Sequence, residues 1–511
     1  MSTHDSASSV GDSARSLIAR RIFGVLALDP AATALTFGDR TFPWSYYADA
    51  ITDLDALLAE YPRARQIGIV LRNRPGQLCS VIATIATGRT VVTLSPHLGD
   101  TGLAEDIVDL APDVVVADEE DWARAAMVEA TTAVGAIALR TGPGRAFVRH
   151  PMPAPPSPAY KPAADVAVLM MTSGTTGRPK RVELTYQRMA AAFRAAGTPV
   201  DEGRELRLHR RTAILWASLA HISGLYFAIA HAMEGRSIAL LEKFEVQAWA
   251  ELVRRHRPGY VRLAPTAMRM VLNADLPRDV FENVFAVGSG TAPLPAELAD
   301  AFEDRYGVPV LGTYGATEFA GAIAGWTIDD KREWGTRKRG SVGRAYDGID
   351  LRVVDRDSAT VLAPGAVGLL EARGGQLSDD GGAWIRTTDL ASIDDDGFLF
   401  IHGRADDAIS RGGFKIPPSV IEEALAQHPA VDEASAVGLA DPRLGEVPVV
   451  AVTLSAPATE AELMEFLSAR LTRYQRPVDL AIVDALPRTP SLKVSRALVR
   501  EQIFARRPTA T

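Results

Sequence analysis

The chain has 511 residues, a formal net charge of −8 from 55 Lys+Arg against 63 Asp+Glu, and a single cysteine. That length is ample for a large core and corresponds to roughly three units of about 150 residues each. Nothing in the charge balance shows the basic bias of a nucleic-acid binder, and the lone Cys79 rules out an internal disulfide or a cysteine-clustered metal site.

The N-terminal stretch "MSTHDSASSVGDSARSLIARRIFGVLALDP" is polar and then Arg-containing. It reads as a frayed tail leading into a helix, not as a signal peptide. No apolar run is long enough to span a membrane, so a soluble cytoplasmic protein is expected. Short apolar strands then alternate with helical patterns. "QIGIVL" (66–71), "TVVTLS" (90–95) and "DVVVAD" (113–118) read as buried strands, and "GQLCSVIATIATG" (76–88) as a helix ending at Gly88. The Pro-rich "PMPAPPSPAYKP" (151–162) is a stiff connection. The strand–helix rhythm returns in "SIALLE", "VQAWAELVRRH" and "YVRLAP", and again in "VFAVGSG", a helix to about Tyr306, and "PVLGTYG". Such repetition argues for parallel sheets with crossover helices.

From Val342 the texture becomes short strands separated by Gly and Asp turns, a mostly antiparallel pattern. "DDDG" (394–397) is read as a hairpin turn with Gly397 left-handed, in preference to a metal loop. A small α+β unit follows, with Leu463, Phe466, Leu467 and Leu471 at helical spacing. The expected class is α/β. Residues 1–404 are expected to form a large domain of parallel-type sheets plus a small β-barrel-like region, and residues 405–511 a small α+β domain, which the family resemblance described below implies is mobile.

One stretch carries chemistry. After the apolar "ADVAVLMM" comes Thr172-Ser173-Gly174-Thr175-Thr176-Gly177, then Lys180. Hydroxyls, backbone amides without a Cβ in the way and a compact cation suit a polyphosphate. It is not a Walker A loop, because G-x-x-x-x-G-K-[ST] does not fit "GTTGRPK".

Together with "TYGATE" (313–318), "RTTDL" (386–390), "GRADDAISRGGFKIPPSVIEEAL" (403–425) and "LPRTPSLKVSR" (486–496), this loop resembles the motifs of the ANL superfamily of adenylate-forming enzymes, in the same order. The resemblance implies that a carboxylic acid is joined to ATP as acyl-AMP, and that the acyl group then passes to the thiol of CoA, or of a carrier protein. By the same resemblance, Thr172, Ser173, Gly174, Thr175, Thr176 and Lys180 would hold the terminal phosphates. Glu318 would bind Mg2+, and Thr317 would touch the α-phosphate. Gly290, Thr291 and Ala292 with Tyr314 and Gly315 would wall the adenine side, and Asp389 and Arg404 would take the ribose. His221, Gly315 and Ala316 would border the acid. Lys493 would be the catalytic cation, Asp406 the hinge, and Arg411, Gly412 and Gly413 the CoA tunnel. On residue chemistry alone, Asp389 reads rather as a turn residue and Arg404 as a surface cation, and a structural histidine is the alternative for His221.

Four positions depart from the family pattern: Arg181 and Thr291 stand where glycine is usual, Gln475 where lysine is common, and Leu492 where glycine is common. They leave open a variant with weak adenylation that mainly performs thioesterification. A fold that binds without turnover is the remaining alternative. Small residues in "GSGTA" and "FAGAIAG" lean toward a bulky or extended hydrophobic acid. Arg254, Arg255 and Arg257 are read as a solvated helix face, although they could meet a CoA phosphate.

Overall fold

The computed structural model describes residues 4–142, 147–150, 165–172, 180–198, 200, 205–405, 407–411, 414–489 and 494–504. The helix His4–Leu26 begins where a frayed tail was expected. The chain divides into two compact units, one holding most residues up to Ile349 together with Arg373–Ala383, the other holding Asp350–Ala372 and the chain from Trp384 onward. This division falls earlier in the sequence than the boundary expected at residue 404.

Among the described residues the first unit contains three sheets. In the seven-stranded sheet the order is Val148–Arg149, Ile137–Arg140, Val114–Ala117, Gln66–Val70, Thr90–Leu94, Val166–Thr172 and Lys180–Thr185. Its inner strands are parallel and their β-branched side chains are fully buried, as a sheet covered on both faces requires. The helix Pro75–Ala86 starts on a proline already set for helical geometry and ends before Gly88, whose φ is +68°. A five-stranded sheet runs Tyr260–Arg262, Ala286–Ser289, Val310–Ala316, Gly321–Gly325 and Arg344–Ala345. Its first three strands are parallel and its last two antiparallel. A four-stranded sheet joins Ala213–Leu215, Ile238–Leu240, Thr33–Phe37 and Arg40–Pro43.

Asn73, which follows the strand Gln66–Val70, staples the first and third of these sheets. Its Nδ2 donates to the carbonyls of Trp216, Ala217 and Leu241 at 3.0–3.1 Å, and its Oδ1 accepts from the Leu219 amide at 2.9 Å. The amide is buried, so these backbone groups have no water to replace it.

In the second unit an antiparallel sheet is ordered Ile349–Val354, Gly368–Gly374, Ile385–Ile393 and Leu399–Arg404. The "DDDG" segment is a turn: Asp394 Oδ1 accepts from the amides of Asp396 and Phe398, and Gly397 has φ +79°. Among the described residues no cluster of three or more His, Cys, Asp or Glu is placed to hold a metal ion. A five-stranded sheet follows, centred on Val431–Asp441 and Gly445–Leu454, and the helices Pro418–Ala426 and Glu460–Ser468 cover it. Leu463, Leu467 and Leu471 enter its core, whereas Phe466 meets the edge of His428 and lies under Arg470. On the described helices, none is long and apolar enough to cross a membrane.

Replacing Asn73 by Ala leaves several buried backbone groups unpaired. Thermal or urea unfolding should show a loss of about 3 kcal/mol, and a loss below the reproducibility of the measurement would contradict the stapling role.

Candidate active site

The phosphate-type loop joins the last two strands of the seven-stranded sheet. Thr172 and Lys180, which flank it, stand opposite each other in the antiparallel ladder. Ser173, Gly174, Thr175 and Thr176 lie outside the described residues. Arg181, one residue further on, does not turn back toward the loop. Its guanidinium donates to the Thr93 carbonyl at 2.9 Å and pairs with Asp106 of the helix Asp100–Leu110. A bulky cation where glycine is usual is therefore accommodated and neutralised against the neighbouring strand and helix.

The "TYGATE" segment spans the end of the strand Val310–Ala316 and the short turn Thr317–Phe319, after which the chain doubles back as Gly321–Gly325. A Cβ on Gly315 would lie 2.2 Å from the Gly321 carbonyl oxygen, so only glycine allows the two strands to approach. The turn is gripped through its main chain. Arg188 donates to the Glu318 carbonyl, to Glu183 O at 2.9 Å and to Gln376 O at 3.1 Å. Burial pulls the pKa of Arg188 down, against the opposing pull of Asp379 and Glu318. Fully buried Gln376 donates to the carbonyls of Phe319 (2.8 Å) and Ala322 (3.0 Å). These bonds use backbone groups, and the Glu318 residue remains exposed. One hard carboxylate on a fixed turn matches what Mg2+ takes from a protein when phosphates supply other oxygens.

On the adjacent strand, Gly290, Thr291 and Ala292 follow Ala286–Ser289. Thr313 Oγ1 donates to Ser289 O at 3.2 Å and would sit 2.5 Å from a Cβ on Gly290. Exposed Thr291 holds φ +72°, a left-handed conformation that explains why glycine suits this position. Residues 290–292 and 313–318 thus gather at the C-terminal ends of neighbouring strands, where open α/β sheets bind ligands. His221 is the N-cap residue of the helix Ile222–Glu234. That helix start packs tightly because a Cβ on Gly224 would meet Ser218 O at 2.2 Å. From the same helix, Tyr226 packs on Gly321.

Within the second unit, Asp389 and Arg404 stand directly opposite each other on adjacent strands, close enough for their side chains to work on one ligand group. Arg404 Nη2 donates to Thr388 Oγ1 at 2.7 Å. The strand leading to Asp389 is fixed by buried Glu371, which accepts from Arg386 Nε (2.8 Å) and pairs with Arg352 (2.7 Å). Burial alone would raise the Glu371 carboxyl, but the hydrogen bonds from Arg386 and then Arg352 hold it below its ordinary range. Arg411 donates to the carbonyls of Tyr474 and Arg476 at 2.9 and 3.0 Å. Asp406, Gly412, Gly413 and Lys493 lie outside the described residues, yet the flanks of the lysine segment are well anchored. Arg488 and Val494 form a bridge, Ser495 N donates to Pro487 O at 2.8 Å, and Arg496 pairs with Asp407 (2.6 Å) and Glu422 (2.8 Å).

The family model for AMP-binding enzymes matches residues 25–379, and the model for the C-terminal domain of AMP-binding enzymes matches residues 420–493. The chain belongs to the AMP-binding enzyme family. A sulfoacetate–CoA ligase of Cupriavidus necator is 36% identical over 67% of this chain and 68% of its own length. A 2-succinylbenzoate–CoA ligase of Bacillus velezensis is 28% identical over 93% of this chain and 96% of its own. The crystal structure of the ATP-bound chimera RpMatB-BxBclM B1 is similar with a TM-score of 0.81 at 25% identity, covering 95% of this chain and 98% of the other.

In this AMP-binding enzyme, Asn73, Arg188, Glu371 and Gln376 were missed by sequence reasoning. Each acts by hydrogen bonds or ion pairs to groups distant in sequence, and no local spacing announces that. Thr291→Gly should relieve the left-handed strain and stabilise the enzyme by about 1 kcal/mol; an unchanged or lower Tm would contradict it. For Glu371, a depressed folded pKa means stability present above the ordinary value of 4.5 and lost as pH falls through the folded value. Glu371→Gln should cost about 2 kcal/mol at pH 7, with the gap to wild type closing in unfolding curves taken at progressively lower pH. A gap that stays constant would show that the charge is irrelevant.

Proposed function

We propose that this enzyme activates a carboxylic acid with ATP as acyl-AMP and then transfers the acyl group to the thiol of CoA. The observation that carries this reading is that both relatives, one of them aligned over nearly its whole length, bear the name CoA ligase. In the first step the acid's carboxylate oxygen attacks the α-phosphorus, an O–P bond forms, and pyrophosphate leaves. In the second, the thiolate attacks the acyl carbon and AMP leaves. Because thiolate is partly available near neutral pH, the second step does not require a protein base.

The first step brings an anion onto an anion, so charge neutralisation carries much of the catalysis. Lys180 and the hydroxyls of residues 172–176 are proposed to hold the terminal phosphates, Thr317 the α-phosphate, and Asp389 with Arg404 the ribose. Gly290, Thr291, Ala292, Tyr314 and Gly315 are proposed for the adenine side, and His221 with Ala316 for the acid. Glu318 would hold Mg2+, which when bound draws charge from the phosphate oxygens. Lys493 is proposed as the cation that meets the carboxylate and α-phosphate. An ammonium about 4 Å from a developing anion contributes on the order of 4 kcal/mol at an effective dielectric near 20. Rotation about Asp406 would then exchange Lys493 for the Arg411–Gly413 segment, giving each step its own geometry. A cytoplasmic setting, where ATP and CoA are both supplied, belongs to the same proposal.

Two other acceptor or step assignments compete. Delivery to a carrier protein is distinguished by offering CoA and a phosphopantetheinylated carrier side by side. A thioesterification-only enzyme is disfavoured at Arg181, because Asp106 takes up the cation that would otherwise disturb the phosphate loop. Lys493→Ala should lower pyrophosphate release roughly a thousandfold while thioester formation from a supplied acyl-adenylate and CoA persists. If neither half-reaction changes, the role given to Lys493 is wrong.

A further inference from the structure

Tyr260 and Arg262 lie two residues apart on the edge strand of the five-stranded sheet, so their side chains share one face. Both lean over Gly288, the residue paired with Arg262 on the next strand. A Cβ there would sit 1.8 Å from the Tyr260 hydroxyl and 3.3 Å from Arg262 Nη1. Arg262 Nη1 donates to the Tyr260 hydroxyl at 3.3 Å, and its guanidinium lies 4.3 Å above the Phe227 ring. Trp216 Nε1 fixes the backbone by donating to Arg262 O at 2.8 Å. Further across the sheet, the Tyr346 hydroxyl hangs over Gly325, 2.3 Å from where its Cβ would be. Burial pushes that hydroxyl up to about 12, with Tyr260 raising it and Arg262 lowering it.

The two glycines of "FAGAIAG" are therefore not open space. Gly321 receives the Tyr226 ring and Gly325 the Tyr346 hydroxyl. The group connects to the nucleotide end of the sheet: Phe227 meets Tyr226 edge-on at 5.2 Å, Tyr226 packs on Gly321, and Gly321 pairs with Ala316.

A guanidinium has five N–H donors, and a half-buried one needs a counter-charge. Arg181, Arg352, Arg386 and Arg496 each have a carboxylate. Among the described residues Arg262 forms no ion pair; it has one hydroxyl and one ring face. With the Tyr260 hydroxyl against it and the Tyr346 hydroxyl further across the same sheet, the cation is positioned for a ligand anion that arrives with the substrate.

We infer that Arg262, assisted by the hydroxyls of Tyr260 and Tyr346, binds a second anionic group on the acid, distal to the carboxylate that is activated. This rests on the acid-activating function proposed above and specifies its substrate class: a dicarboxylic or sulfonated acid in place of a purely hydrophobic one.

The test compares adipate with hexanoate and terephthalate with 4-methylbenzoate, by pyrophosphate release and by calorimetric binding. Wild-type enzyme should prefer at least one dianionic acid over its matched partner by about 100-fold, the scale of a desolvated charge pair. Arg262→Met should abolish that preference in both readouts, while Arg262→Lys, which keeps the charge, should retain part of it. Equal use of the matched acids, a preference that survives Arg262→Met, or absence of binding by either dianion would overturn the inference. Binding of a dianion that depends on Arg262, without pyrophosphate release from any acid, would support this site and instead remove the adenylation reading.

Discussion

A carboxylate and a triphosphate repel each other, and the chain that must bring them together is itself net negative, at −8. Where its cations go is therefore the constraint on which the site depends. Most arginines near the motifs serve the framework. Arg181 binds Asp106, Arg188 gathers three carbonyls, and Arg352 and Arg386 share Glu371. These contacts shape the segments that carry the motifs. The cations proposed for chemistry, Lys180, Lys493 and Arg262, are three of the chain's 55 basic residues.

The same economy shapes the backbone. The turn bearing Thr317 and Glu318 is held by its carbonyls, and the strands flanking it approach only because residue 315 is glycine. Main-chain capture leaves the Glu318 residue exposed. In the second unit, the segment before and after Lys493 is pinned by Arg488, Ser495 and Arg496, two of them through carboxylates. Arg496 also reaches Asp407, next to the proposed hinge residue. The segment after the proposed lysine and the residue after the proposed pivot thus share one ion-pair cluster.

Much of the framework was legible from pattern. The apolar β-branched runs at 66–71, 90–95 and 113–118 became buried parallel strands, and Val246–His256 became an amphipathic helix with Arg254 and Arg255 on its exposed side, paired with Asp279 and Glu251. Order of motifs, more than any single motif, carried the family reading. What could not be read was whatever depends on contacts between distant segments. Arg181 looked like an obstruction until Asp106, far earlier in the chain, was seen to receive it. Small residues at 321 and 325 suggested a hydrophobic acid; that Tyr226 and Tyr346, from other segments, lie over them could not be read. Arg262 carries no motif; its meaning appears only from the ring beneath it and the absence of an ion-pair partner among the described residues.

The central claim is that a mixed anhydride of the acid with AMP forms on this protein. Exchange of labelled pyrophosphate into ATP measures that step alone, before any thiol is involved. With the correct acid present, label should enter ATP at a rate that saturates with acid, and it should not enter without acid. Exchange that is indifferent to acid, or cleavage of ATP to ADP and phosphate, would contradict the claim.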